Sequence, residues 1–221
     1  MSVGGWLLQV AYKLNRHRWG ELPLAVAWIG FLLLLAAVAW WGWLGLPRGA
    51  AVPLAVLAVG VALLSLVGRL TGYVRFRGAP LPPPAAPPAP LVPTDKIAHR
   101  ASGWFEVEGK RRYLVDVPAW FRTFETREHA VMAYVAPSRF FPGRWPEHEV
   151  GMWYIFFLPQ QIQRVEAGLV LFGARPRLGL RVEVRNKDRT ETVLLSFDTE
   201  DDRQRIYADL MRDANLETRK G

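Results

Sequence analysis

"LGLRVEVRN", residues 178–186, places Leu178, Leu180, Val182 and Val184 on one side and Arg181, Glu183 and Arg185 on the other. That alternation has period two and predicts a strand with one face in a core. "NKDR" (186–189) is polar turn material, and "TVLLSFD" (192–198) returns with Val193, Leu195 and Phe197 inward. The pattern then changes. Thr199 stands three positions before Asp202, the spacing of a helix N-terminal cap, and Ile206, Tyr207, Leu210, Met211 and Ala214 make one apolar face. Upstream, "GWFEVEG" (103–109) sets Trp104 opposite Phe105 and Val107. "KRRYLVDV" (110–117) groups Tyr113, Val115 and Val117, and "HAVMAYVAP" (129–137) groups Val131, Ala133 and Val135. "GMWYIFFL" (151–158) is apolar throughout, as a strand covered on both faces is.

About seven short strands followed by one amphipathic helix is the expected plan of residues 95–221. Residues 160–210, with the strands at "IQRVE", "LGLRVEV" and "TVLLSF" and the capped helix, resemble the last strands and helix of a pleckstrin-homology-like (PH-like) domain. The whole chain resembles bacterial membrane proteins that carry a two-span hairpin before a cytoplasmic domain of this type. The resemblance implies a barrel of two packed sheets with the helix plugging one open end. It leaves open whether residues 95–144 belong to that barrel or form a separate small β-module. Helices of such domains often carry a tryptophan, and this one has none.

The 221 residues are 51% hydrophobic, and a mean hydropathy of +0.06 implies two unlike parts. "LPLAVAWIGFLLLLAAVAWWGWLGLP" (22–47) contains no charged residue, nor does "GAAVPLAVLAVGVALLSLVG" (49–68). Each is long enough to cross a bilayer, and a tight turn joins them, so residues 21–78 read as a transmembrane hairpin. The short loop holds only Arg48. Lys13, Arg16 and Arg18 flank the first run, and Arg69, Arg75 and Arg77 the second. The positive-inside rule puts both termini in the cytoplasm of a multi-pass protein of the bacterial plasma membrane, with Trp40, Trp41 and Trp43 at the outer interface. Residues 1–20 suit a short amphipathic helix lying in the inner interface. In the second run, Ala51, Ala55, Ala58, Ala62 and Ser65 form a small-residue stripe for close helix packing. It faces either the first span, with its own Ala25, Gly30 and Ala37, or a span of another protein.

Between the two parts, "APLPPPAAPPAPLVP" (79–93) can join neither a helix ladder nor a sheet. Residues 79–94 therefore read as a semi-rigid linker of about 3 Å per residue, holding the soluble domain off the membrane.

The net charge of +8 sits beside the apolar runs, where Glu21 is the sole acid before residue 79, while the later part is nearly balanced. That distribution orients a membrane protein and argues against a nucleic-acid groove. With no cysteine, disulfides and thiolate chemistry are excluded. His17, His99, His129 and His148 show no metal-ligand spacing, and no phosphate loop or dinucleotide fingerprint occurs, so no catalytic set, metal or cofactor is expected.

Three features suit binding. Lys110, Arg111 and Arg112 lie in a predicted hairpin, and Arg181 and Arg185 on a predicted strand. Either set could grip an anionic headgroup or simply form a solvated face. "SRFFPGRWPEHE" (138–149) carries Phe140, Phe141 and Trp145 for a protein contact, a membrane-dipping loop or packing on the barrel. The expected function is a membrane-tethered, non-enzymatic scaffold that recruits a protein partner. The alternatives are an accessory subunit of a membrane complex and an anionic-lipid sensor.

Overall fold

The computed structural model of the chain describes residues 3–84 and 87–218. Its elements run α1 (Val3–Arg16), β1 (Arg18–Trp19), β2 (Leu22–Pro23), α2 (Leu24–Trp40), α3 (Ala51–Thr71) and β3 (Arg75–Gly78). They continue with β4 (Ile97–Val107), β5 (Lys110–Thr123), β6 (His129–Val135), β7 (Arg139–Phe140) and β8 (Gly143–Arg144). The last are β9 (Gly151–Phe157), β10 (Ile162–Leu171), β11 (Arg177–Asn186), β12 (Arg189–Phe197) and α4 (Glu200–Thr218). The chain divides into two compact units, one of Met1–Tyr73 with Pro137–Val150, the other of Val74–Ala136 with Gly151–Gly221.

The second unit is a large antiparallel sheet with strand order β3-β10-β11-β12-β4-β5-β6-β9, and β9 touches β4 again at Tyr154 and Glu106. Consecutive hairpins account for most of the pairings, which is why the period-two pattern marks the strands so clearly. Leu180, Val182 and Val184 of β11 and Val193, Leu195 and Phe197 of β12 are buried as the alternation predicts. Phe105, Phe121, Trp153 and Phe157 complete the core with Ile206 and Leu210 of α4. The cap forms reciprocally: the Asp202 amide donates to Thr199 Oγ1 at 3.2 Å, and that hydroxyl donates to Asp202 Oδ2 at 2.6 Å. The side chain of Ala214, expected on the apolar face, lies outside the described residues.

Beyond β9, where Met152 and Phe156 are exposed although the apolar run predicts cover on both faces, two expectations change here. Along β5 the buried residues are Leu114 and Val115, then Val117, Ala119 and Phe121, while Tyr113 is only half-buried. A bulge opposite Ser102 inserts one residue and shifts the phase, with Asp116 at φ 50. The expected grouping of Tyr113 with Val115 and Val117 assumed an unbroken pleat.

The second change concerns the proline-rich segment. The sheet begins at Arg75, because β3 pairs with β10 before the prolines start. Residues 79–94 thus connect two strands of one domain and do not lead from the helical part into it. The Ala79 amide donates to the Ala167 carbonyl at 3.1 Å, Gln204 Nε2 to the Pro82 carbonyl at 3.2 Å, and Arg122 Nε to the Pro93 carbonyl at 2.9 Å. A proline run has few amides of its own, so it lies on a domain by offering carbonyls to that domain's donors.

The first unit is built on helices. α2 and α3 pack against each other, and small residues are buried on both: Ala25, Ala36 and Ala39 on α2, and Ala51, Ala58 and Ser65 on α3, with Gly68 buried against α1. Ala55 and Ala62 are half-buried on the same stripe. The stripe is therefore covered within the chain; on α2, Gly30 and Ala37 are exposed instead of facing it. α3 is long and apolar enough to cross a membrane, and α2 is an apolar helix of 17 residues. α1 crosses the end of this pair. Its Ala11 is fully buried, and a Cβ at Gly68 would meet the Tyr73 ring at 2.5 Å. A four-stranded ribbon, β2-β1-β8-β7, brings residues 137–150 against the end of α1.

Candidate functional site

On the sheet unit, a cleft of about 470 Å³ is lined by Trp104, Glu106, Glu108, Arg111, Tyr154, Phe156, Val184 and Glu191, among others. The ends of β4, β9 and β11 and the starts of β5 and β12 supply these side chains, because the β4–β5 and β11–β12 hairpins close beside one another. Trp104 is 44% and Phe156 53% exposed, unusual for aromatics of that size. The Phe156 ring stacks on that of Tyr154 at 5.5 Å. Tyr134 and Met152, register partners on β6 and β9, extend the same exposed face.

The sequence-predicted basic residues divide. Lys110 is exposed at the hairpin. Arg111 pairs with Glu191, and its guanidinium lies 5.0 Å from the Trp104 ring centre, whose other neighbour is Tyr113 at 5.5 Å. Arg112 donates to the Arg111 carbonyl at 2.9 Å. Arg181 pairs with Glu183 and reaches Glu166 at 3.8 Å, while Arg185 is exposed at the end of β11. These residues form no joint arginine cradle, because Arg111 and Arg181 are each paired with carboxylates and Arg112 with a backbone carbonyl. With Arg111 committed to Glu191, Glu106 and Glu108 leave the cleft rim acidic.

The aromatic loop of residues 137–150 splits as well. Trp145 is 9% exposed and meets Tyr12 and His17 edge-on at 6.1 and 5.5 Å. Phe140 is half-buried beneath Lys13, whose Nζ lies 5.5 Å from the ring centre. Both rings pack within the helical unit. Phe141 is 84% exposed and, with Pro142, borders an apolar groove of Trp19, Leu24, Ala27, Trp28 and Phe31. Beneath the loop, buried His17 engages the Lys13 carbonyl through Nδ1 and Ser138 Oγ through Nε2, both at 3.0 Å, and buried Glu149 pairs with Arg16. Burial lowers the His17 pKa, so the ring bridges α1 and the loop in its neutral form.

Sequence reasoning missed the polar interior of the sheet unit. His129 is fully buried; Thr123 Oγ1 lies 3.2 Å from its Nδ1 and donates to Asp209 Oδ2 at 2.8 Å. A hydroxyl has one proton, which it gives to the carboxylate, so Nδ1 is the protonated nitrogen of a neutral imidazole. His99 is buried between Phe197 and Phe121. Desolvation takes both rings down to about 4. Arg203, also buried, holds Glu200 and donates to the Gly168 carbonyl at 3.1 Å. A signal existed: Arg203, Ile206 and Leu210 share a helical face, which puts this charge on the side facing the core.

No family model, curated protein or solved structure matches this chain.

Proposed function

We propose that this chain is a membrane-anchored, non-enzymatic binding module that holds a protein partner at the cytoplasmic face of a bacterial plasma membrane. In this reading α2 and α3 are a two-span hairpin with both termini cytoplasmic, and α1 lies in the inner interface. The anchor rests on the outward surfaces of the helices: Val26, Phe31, Leu33 and Leu34 of α2 and Val56, Leu57, Leu63 and Leu66 of α3 are all exposed. A soluble helical hairpin places polar residues there. At 1.5 Å per residue, α2 reaches about 26 Å and α3 about 32 Å, against a hydrocarbon core of about 30 Å. The sheet order β10-β11-β12-β4-β5-β6-β9, followed by a helix, supports a PH-like barrel with β3 added at its edge.

The observation that carries the binding function is the cleft beside Trp104, with its exposed aromatic floor and acidic rim. It suits a peptide segment that presents an apolar anchor flanked by basic side chains. An anionic headgroup suits it less, because Arg111 is already paired. A subunit docked through the α3 stripe also has less support, since α3 buries that stripe within its own unit. A photocrosslinking residue at Tyr154, in membranes of the native host, tests the reading. One discrete adduct that disappears with Phe156→Asp supports it. Diffuse labelling unaffected by that substitution counts against it.

A further inference from the structure

We infer that the loop of residues 137–150 is a second membrane contact, with Phe141 and Pro142 entering the acyl region of the bilayer beside the start of α2. The inference rests on the membrane reading of α2 and α3 but goes beyond it, because this loop comes from between two strands of the sheet, β6 and β9.

Three independent observations meet at this place. First, the tip is apolar and presented outward: Phe141 is 84% exposed although its neighbours in the loop, Phe140 and Trp145, are packed away. A large aromatic so exposed on a well-packed hairpin has no role in folding the unit that carries it. Second, the groove under the tip is continuous with the exposed face of α2. Trp19, Leu24, Trp28 and Phe31 line it, and Trp19 and Phe31 are exposed, as is Leu34 one turn further along α2. Any lipid that covers that face of α2 reaches the groove and the phenyl ring.

Third, the level of the tip is marked by charge. Arg18 is the register partner of Arg144, and Arg144 of Arg139, so three arginines stand in a row across β1, β8 and β7. Directly opposed like charges repel. The exposed carboxylates of Glu21 and Glu147 lie at 4.0 and 3.5 Å from Arg18 and Arg144, whereas Arg139 has no acid of its own among the described residues. Phospholipid phosphates would complete the neutralisation of this row. Trp19, next to Arg18 on the same strand, is a residue of the kind that sits at headgroup level. The loop is held at this height from below by the His17–Ser138 hydrogen bond and the Arg16–Glu149 pair. It is a rigid wedge that need not order itself on contact.

The absence of cysteine makes a direct test simple, since one introduced thiol is labelled alone. Full-length Phe141→Cys and Leu57→Cys proteins, each carrying an environment-sensitive fluorophore, are placed in vesicles of phosphatidylcholine and phosphatidylglycerol. Leu57 is an exposed residue within α3, and neither substitution disturbs packing. The expected result is that the probe at 141 is quenched at least two-fold more by a nitroxide high on the acyl chain than by aqueous iodide. The probe at 57 is quenched by a deep nitroxide. If 57 reports deep lipid while 141 is open to iodide and insensitive to nitroxide, the wedge is overturned and the hairpin stands. If neither probe senses lipid, the membrane reading falls and the wedge with it.

Discussion

The imidazoles of His99 and His129 are buried in their neutral form, and that has a pH consequence. Each ring titrates at about 4 in the folded protein and near 6.5 when unfolded. Between those values the unfolded chain binds more protons, so stability rises with pH. Stability should be complete above about pH 6.5 and fall as pH drops toward 4, by on the order of 3 kcal/mol for each ring. Urea denaturation across this window checks the slope, and His99→Phe should flatten part of it. The Thr123–Asp209 bond ties α4 to β5. Asp209→Ala leaves the buried hydroxyl without its acceptor and should cost about 1–3 kcal/mol in the same assay. None of these partnerships is visible in one dimension. A histidine in a strand pattern looks like any half-polar position until the fold brings an acid from the far end of the chain.

Elements were legible where one periodicity ran unbroken. β11 and the start of α4 follow their patterns closely because each has one buried face, whereas in β12 Leu194 and Ser196 are buried along with the expected Val193, Leu195 and Phe197. β5 was not, since a bulge leaves no mark on composition. β3 escaped for another reason. "RFRG" is short, and its arginines imitate the basic flank of a span. Its seat is specific all the same: a Cβ at Gly168 would lie 2.3 Å from the Arg77 carbonyl oxygen. The small stripe of α3 was legible from its spacing, and the structure supplies what covers it. Ala58 is 2% exposed in that contact. Ala58→Leu should overpack the hairpin by about 1–3 kcal/mol, while Leu57→Ala on the exposed face should change little. Thermal unfolding in detergent, followed by circular dichroism, separates the two.

At the level of the whole chain, the reading of two parts joined by a strut needs two amendments. The sheet unit owns the proline-rich segment and the strand before it, and the helical unit owns residues 137–150. Boundaries drawn from composition follow the prolines; boundaries drawn from packing follow strand pairing. A fragment that starts at residue 74 should therefore melt several degrees above one that starts at Asp95, which lacks β3 and bares the edge of β10 from Gly168 to Leu171. Differential scanning fluorimetry of the two fragments decides it. Equal melting temperatures would mean that β3 adds nothing.

The docking of residues 137–150 on α1 also sets an order of events during synthesis. When the ribosome has finished α3, the side chains that bury His17 and pair with Arg16 have not yet been made. The nascent chain must hold its first helix without a lid until β6 has emerged and the hairpin behind it can swing home. Ribosome-bound chains stalled just after Ala136 should be cut by protease within α1, and chains stalled well beyond Val150 should not. The beginning of this protein is finished only after its middle has been translated.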